Sequence, residues 1–263
     1  MKIVVCVKPT PPSEAAVTVE NGKASWGDAP LIINPWDEYA VEAALQQKEI
    51  CGGTVTALSS GDESARIALK HALAMGVDEA VFIPEASTTP GTGAEIGLDT
   101  QRIAYLLAAA IQKLGNVDLA FFGRQGIDGD AGIVPSQTAR VLGWPALTLA
   151  STVKVDGSTI HVERSIEEGR QIVNAKLPAV VSLTRDFGEP RFPSFLNKRK
   201  ADRAVIPLWS RADLGMPLPA PVVSQTEVAL PPASAKTCEF IAGNSPEEIA
   251  GILVERILAE KIL

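Results

Sequence analysis

Short β-branched runs alternate with alanine- and leucine-rich segments through the first half of the chain, and turn-forming residues separate them. Residues 3–7 are apolar at every position, as in a strand covered on both faces, and Lys8-Pro9-Thr10-Pro11-Pro12 ends that strand in a loop. Residues 17–24 enclose Asn21-Gly22 and predict a small hairpin outside the main sheet. At Asn34-Pro35 the pattern becomes helical: Asn stands as N-cap, Pro takes the first helical position, Asp37 and Glu38 follow, and Gly52-Gly53 ends the run. A strand over 54–59, a helix over 65–75 stopped by Gly76, a strand over 81–83, a helix over 100–114 and a strand over 118–122 come next. This alternation predicts an α/β fold, a mostly parallel sheet with helices on both faces.

The second half changes character. Residues 123–135 read as a loop and 136–142 as a helix, and Gly143-Trp144-Pro145 breaks the pattern. Strands over 147–155, 159–164, 170–173 and 180–183 then suggest antiparallel additions to the sheet. From about Phe187 prolines punctuate the chain at 190, 193, 207, 217, 219, 221, 231 and 232, which predicts an extended C-terminal arm without long elements. Ser245-Pro246-Glu247-Glu248 opens a last helix that runs to about Lys261. The expected organisation is an α/β domain over 1–186, followed by 187–263 as loop, arm and terminal helix.

Composition narrows the function classes. With 46% hydrophobic and 21% charged residues the chain is ordinarily globular, and 24 bases against 31 acids leave a net charge of −7, which argues against nucleic acid as a partner. Cys6, Cys51 and Cys238 are odd in number and widely spaced, so they form neither a disulfide framework nor a C-x-x-C motif, and a reducing compartment is expected. The opening residues carry one cation before a five-residue apolar run, too short for a secretory signal. Apolar stretches elsewhere are broken well before the ~18 residues of a membrane span. The expectation is a cytoplasmic protein, or a mitochondrial-matrix one, with no membrane insertion.

In an open parallel sheet, ligands bind beyond the carboxyl ends of the strands, which selects the loops 8–12, 60–64 and 123–135. The longest is Gly123-Arg124-Gln125-Gly126-Ile127-Asp128-Gly129-Asp130-Ala131-Gly132-Ile133-Val134-Pro135. Its glycines let backbone N–H groups approach a phosphate ahead of a helix N-terminus. A second reading makes it a strand-to-helix turn whose aspartates only satisfy local backbone. Other motifs read as ordinary structure. Gly91-Thr92-Gly93-Ala94-Glu95-Ile96-Gly97 has the wrong spacing for a dinucleotide fingerprint. His71 and His161 have no ligand-spaced partners, Trp36 reads as a core or pocket wall, and Cys6 as inert packing. From Arg185 to Arg203 six bases face three acids, net +3, beside the apolar pair Phe195-Leu196. That composition suits either a protein-docking loop or a solvated charge run with Phe195 tucked inward.

Together these stretches resemble the β subunit of electron transfer flavoproteins nearly from end to end. The resemblance is carried by the segment from Asn34 to Leu45, Ala72-Leu73-Ala74-Met75-Gly76, Gly123-Arg124-Gln125-Gly126-Ile127-Asp128-Gly129-Asp130, Val162-Glu163-Arg164 and Leu177-Pro178-Ala179-Val180-Val181. Pro190-Arg191-Phe192 and Asp213-Leu214-Gly215 continue it. It implies an adenine-nucleotide-hydrolase-like fold and a heterodimer with an α subunit that binds most of the FAD. Electrons would pass from acyl-CoA-type dehydrogenases to a quinone oxidoreductase, without substrate turnover by this subunit. A structural AMP would lie against Pro9, Asn34, Pro35, Trp36, Asp37 and Ser60, and against Gly123, Arg124, Gln125, Gly126, Ile127, Asp128, Gly129, Asp130, Ala131, Gly132, Ile133 and Val134. Donor docking would fall to Arg191, Phe195, Leu196, Asn197, Lys198, Arg199 and Lys200, with Phe195 in place of the family's anchoring leucine. Gly132-Ile133-Val134 replaces the Asn-Gln-Thr of AMP-binding members and leaves backbone amides as the phosphate ligands. The alternative implied by bifurcating, NADH-oxidising relatives is a second FAD in the AMP position.

Overall fold

The structure, a computed structural model, describes residues 1–20, 23–85, 99–215, 217–223, 227–230, 232 and 238–260. The Asn21-Gly22 turn, the 91–97 stretch, Pro231 and the predicted helix end at Lys261 lie outside them. By internal contacts the chain forms two units, Met1–Val228 and Ala229–Leu263.

In the first unit the elements run β1 (Lys2–Cys6), β2 (Pro9–Thr10), β3 (Thr18–Glu20), β4 (Lys23–Ser25), β5 (Ile32–Ile33), α1 (Pro35–Cys51), β6 (Thr54–Gly61), α2 (Ala65–Met75) and β7 (Glu79–Pro84). They continue with α3 (Thr100–Leu114), β8 (Leu119–Gly123), α4 (Val134–Leu142), β9 (Ala146–Asp156), β10 (Thr159–Ile166), β11 (Gly169–Lys176) and β12 (Ala179–Leu183). A 3-10 turn (Arg185–Phe187) precedes α5 (Phe195–Asp202) and α6 (Arg211–Leu214).

Eight strands form one sheet in the order β11-β10-β9-β12-β8-β1-β6-β7. Every neighbour pair from β9 to β7 is parallel, while β10 runs antiparallel to both β9 and β11. Period-two alternation divides the core. Ile3, Val5, Phe121 and Val181 pack with α1 and α2 on one face, and Val4, Phe122 and Val180 pack with α3 and α4 on the other. A strand buried on both faces has no polar side to show, which is why its sequence reads as an unbroken apolar run. From β1 the chain moves outward to β6 and β7, then α3 carries it back to β8 on the other side of β1. That reversal opens a crevice between the carboxyl ends of β1 and β8.

Several boundaries differ from the sequence pattern for identifiable reasons. The loop after β1 is partly ordered, because Pro9–Thr10 pairs with Ile32–Ile33. Helix α4 starts at Val134 rather than 136, since proline is tolerated in a first helical turn. β11 extends to both sides of the predicted 170–173 run; it pairs with β10 along its whole length while staying largely exposed, so no apolar alternation marks it. The proline-rich stretch also holds two short helices, α5 and α6. Between them, Pro207 O accepts from Phe82 N at 3.0 Å and Trp209 N donates to Phe82 O at 2.9 Å, which covers the free edge of β7.

The second unit contains α7 (Pro246–Ala259), whose Ser245 side chain accepts from Glu248 N as the sequence predicts. Arg256 pairs with Glu239 at 3.1 Å. Among the described residues no helix is long and apolar enough to cross a membrane.

Candidate functional site

The crevice is closed from below by the start of α1. Asn34 stands at the N-cap position, but its side chain does not cap the helix; its backbone oxygen accepts from Asp37 N at 2.8 Å. The amide instead donates to Asp37 Oδ1 at 2.9 Å and to Gln125 O at 2.8 Å, while its Oδ1 accepts from Ile127 N at 3.3 Å. Asp37 Oδ2 accepts from Lys8 N at 2.9 Å. One buried amide and one buried carboxyl therefore bind the end of β1, the start of α1 and the loop after β8. No side chain fits at Gly123, where a Cβ would lie 2.4 Å from Asp37 Oδ1 and 2.7 Å from the Trp36 carbonyl carbon.

The loop above this floor is held by its own polar groups. Lys8 Nζ reaches Asp128 at 2.6 and 2.9 Å, Gln125 Nε2 donates to Asp130 Oδ1 at 2.8 Å, and Asp130 N donates to Gly126 O at 2.9 Å. The chain takes left-handed backbone at Asp130 (φ 48°) and Gly132 (φ 62°), then enters α4 with Ile133 at the N-cap and no side-chain acceptor for the first-turn N–H groups. The Arg124 guanidinium lies over the Trp36 ring, 5.4 Å from its centroid.

These segments enclose a cavity of about 510 Å³ over the carboxyl ends of β1, β6, β7 and β8. Ile103, Leu107 and Phe122 give it an apolar wall, and the Oγ of Ser60, buried at its side, has no partner. Of the nucleotide contacts expected from the sequence, Pro9, Asn34, Asp37, Ser60, Gly123, Arg124, Gln125, Gly126, Asp128, Gly129, Asp130, Ala131, Gly132 and Val134 line this cavity. Pro35, Trp36, Ile127 and Ile133 do not; Trp36 supports Arg124 and Ile127 braces Asn34. Sequence reasoning missed the wall from α3, with Thr100, Ile103 and Leu107, and missed Glu85 just after β7. The rule that ligands gather at strand ends would have reached Glu85 had it been applied to β7 as well.

Acidic groups crowd the site, yet most are neutralised internally. Asp128 is paired with Lys8, and Glu85 with Arg211. Burial pushes the Asp37 carboxyl up to about 7, against the hydrogen bonds from Asn34 and Lys8 N and the Lys8 charge, with Asp128 adding to the rise. Burial also raises the Cys6 thiol well above its ordinary range, with Asp37 adding to it. Among the described residues no carboxylate pairs with Arg124, which leaves its charge for a ligand.

The expected docking residues lie elsewhere, on and before α5. Ser194 caps this helix by accepting from Asn197 N at 3.1 Å, and only Ala201 is buried. Phe195 and Leu196 are 73% and 68% exposed, Lys198, Arg199 and Lys200 are exposed, and the neighbouring Phe192 reaches 91%. Arg191 turns the other way, onto Glu42 and Glu49 of α1.

Two outcomes follow from the crevice geometry. Gly123→Ala should lower stability by at least ~1–3 kcal/mol, measured by chemical denaturation, because its Cβ meets backbone as well as a carboxylate. For Asp37, the unfolded carboxyl ionises near 3.8 and the folded one about 7, so the native state holds an extra proton between those values. Its contribution to stability should be complete below pH 3.8 and fade as pH rises through about 7. Asp37→Asn should remove that fall, and pH-dependent unfolding curves of the two proteins check it.

Comparison with known proteins bears directly on this geometry. A model of the electron transfer flavoprotein domain matches residues 27–214, a span that includes the whole 123–134 loop. The chain is similar to the caffeyl-CoA reductase-Etf complex subunit CarD of Acetobacterium woodii, 32% identical over 269 residues and 100% of both chains. It is similar to the electron transfer flavoprotein subunit beta of Megasphaera elsdenii, 32% identical over 278 residues and again 100% of both. Protein FixA of Azorhizobium caulinodans is 36% identical over 224 residues, covering 82% of this chain and 77% of its own. With a domain match over most of its first unit and end-to-end relatives at this identity, the chain belongs to the β-subunit, or FixA, family of electron transfer flavoproteins.

Proposed function

We propose that this chain works as the β subunit of a heterodimer that carries electrons from an acyl-CoA-type dehydrogenase to a quinone oxidoreductase, with a structural AMP in the cavity over β1 and β8. The observation that supports this reading best is the pairing of an apolar wall with a buried, unpartnered Ser60 Oγ and an uncapped α4 N-terminus in one 510 Å³ space. An adenine ring suits Ile103, Leu107 and Phe122, and ribose hydroxyls suit acceptors such as Asp62 and Asp130. A phosphate suits the N–H groups from Ala131 to Val134, since those of Gly129 and Asp130 already donate to Gly126 O, with Arg124 at the rim. Because Gly132, Ile133 and Val134 offer no side-chain donors, the main chain supplies the phosphate contacts. FAD bound mainly by the α subunit supplies the redox chemistry, and this subunit supplies position and partner contacts.

The exposed Phe195-Leu196 pair, with Lys198, Arg199 and Lys200 beside it, is assigned to donor docking. A large apolar anchor ringed by cations favours brief, electrostatically steered encounters. A second reading places a second FAD in the cavity, as in a bifurcating, NADH-oxidising complex. It is favoured by the end-to-end similarity to a subunit named for a caffeyl-CoA reductase-Etf complex.

Nucleotide released from the purified heterodimer separates the two readings: about one FAD with one AMP supports the first, and about two FAD without AMP supports the second. In the first case Ser60→Ala should weaken AMP retention about 3- to 10-fold, the worth of one hydrogen bond. Phe195→Ala should slow flavin reduction by the donor dehydrogenase while leaving bound flavin unchanged. Equal reduction rates would reject the docking assignment.

A further inference from the structure

Between the 3-10 turn and α5 the chain crosses from the sheet to the docking helix through Gly188-Glu189-Pro190-Arg191-Phe192-Pro193. Two prolines deny this stretch backbone donors, and Phe192, 91% exposed, gives it no packing. Among the described residues, Arg191 makes the hydrogen bonds that tie it to the body of the fold. Its backbone N donates to Glu42 Oε2 at 3.1 Å, Nε donates to the same oxygen at 2.7 Å, and Nη2 donates to Oε1 at 3.0 Å. Nη1 and Nη2 also reach Glu49 at 2.6 and 3.3 Å.

The carboxylates come from one helix, seven residues apart, so they stand on the same side of α1 about two turns from each other. The Glu42 side chain is only 6% exposed and also accepts from Gln46 Nε2 at 2.8 Å, which leaves it little freedom. Burial raises the Glu42 carboxyl, but the Arg191 hydrogen bonds outweigh it and hold the group below its ordinary value; Arg191 lowers Glu49 as well. A planar fork held by the buried Glu42 carboxylate, with the more exposed Glu49 on its other edge, sets direction as well as position, which a lysine ammonium cannot do.

We propose that Arg191 is the positioning residue of the docking surface: its guanidinium, forked between Glu42 and Glu49, sets the angle at which this segment presents Phe192, Phe195 and the basic face of α5 to the electron donor. The proposal rests on the docking role assigned above. It also adds Phe192 to the presented apolar surface and takes Arg191 out of direct contact with the donor.

The test uses the FAD-loaded heterodimer with an acyl-CoA dehydrogenase as donor. Arg191→Met and Arg191→Lys should each lower kcat/KM for flavin reduction on the order of 10-fold, mainly through KM, with flavin content unchanged. Amide hydrogen exchange over residues 191–197 should rise in both variants. The double variant Glu42→Gln/Arg191→Met, which leaves no unpaired buried charge, should unfold at the native temperature and still show the KM defect. Full rescue by Arg191→Lys would overturn the proposal, because charge alone would then suffice. So would unchanged exchange over 191–197, whichever donor is used. If Phe195→Ala slows reduction and Arg191→Met does not, the positioning role fails while docking stands; if neither slows it, the docking reading itself fails.

Discussion

Asp37 sits where β1 and β8 diverge, and its two oxygens are claimed by the Lys8 N–H and the Asn34 amide. Loop, helix and sheet therefore close on a single carboxyl group. The same Asn34 amide holds Gln125 and Ile127 in the long loop, so the wall of the cavity and its floor are one hydrogen-bonded unit. A network of buried polar groups with every member paired is rigid, and loss of one partner leaves the others unsatisfied. Gly123 is part of that unit through its missing side chain, since the approach of Trp36 and Asp37 leaves no room for one.

Carboxylates outnumber cations in the lining of the cavity proposed to hold an anionic guest, and local pairing and burial reduce the conflict. Lys8 offsets Asp128, Arg211 offsets Glu85, and burial favours the protonated form of Asp37. The remaining positive features are the stacked Arg124 and the N–H groups at the head of α4. For the phosphate proposed above, affinity would then rest on oriented main-chain dipoles, which need no counter-charge. The same pairing links the cavity to the chain beyond it. Arg211, which holds Glu85, begins the short helix that follows the Pro207–Trp209 cover on β7.

Helix α1 is a common support for the cavity and for the proposed docking segment. It spans 17 residues, about 25 Å, with Asn34 and Asp37 at one end in the cavity floor and Glu42 and Glu49 further along under the docking segment. Ala40, Ala43 and Ala44 are fully buried and let it pack closely on the sheet. A helix so fixed transmits position with little play, which suits the docking role proposed above.

Residue order alone determined the layer architecture, because burial on both faces forces apolar runs in the strands and burial on one face forces helical spacing. It also located the glycine-rich loop at 123–134, since close backbone approach, as at Gly123, demands glycine and left-handed φ, as at Gly132, favours it. It did not reveal that Asn34 would abandon its cap for Asp37 and Gln125, because Gln125 is brought within reach only when β8 docks beside β1. Nor did it identify Arg191 as internally held. A cation among cations reads as solvent-facing until Glu42 and Glu49, some 140 residues earlier in the chain, are brought beneath it. The same holds for the apolar wall from α3 and for the exposed edge strand β11. Local periodicity reports which face of an element is covered, and only the packed sheet decides which distant groups meet across it.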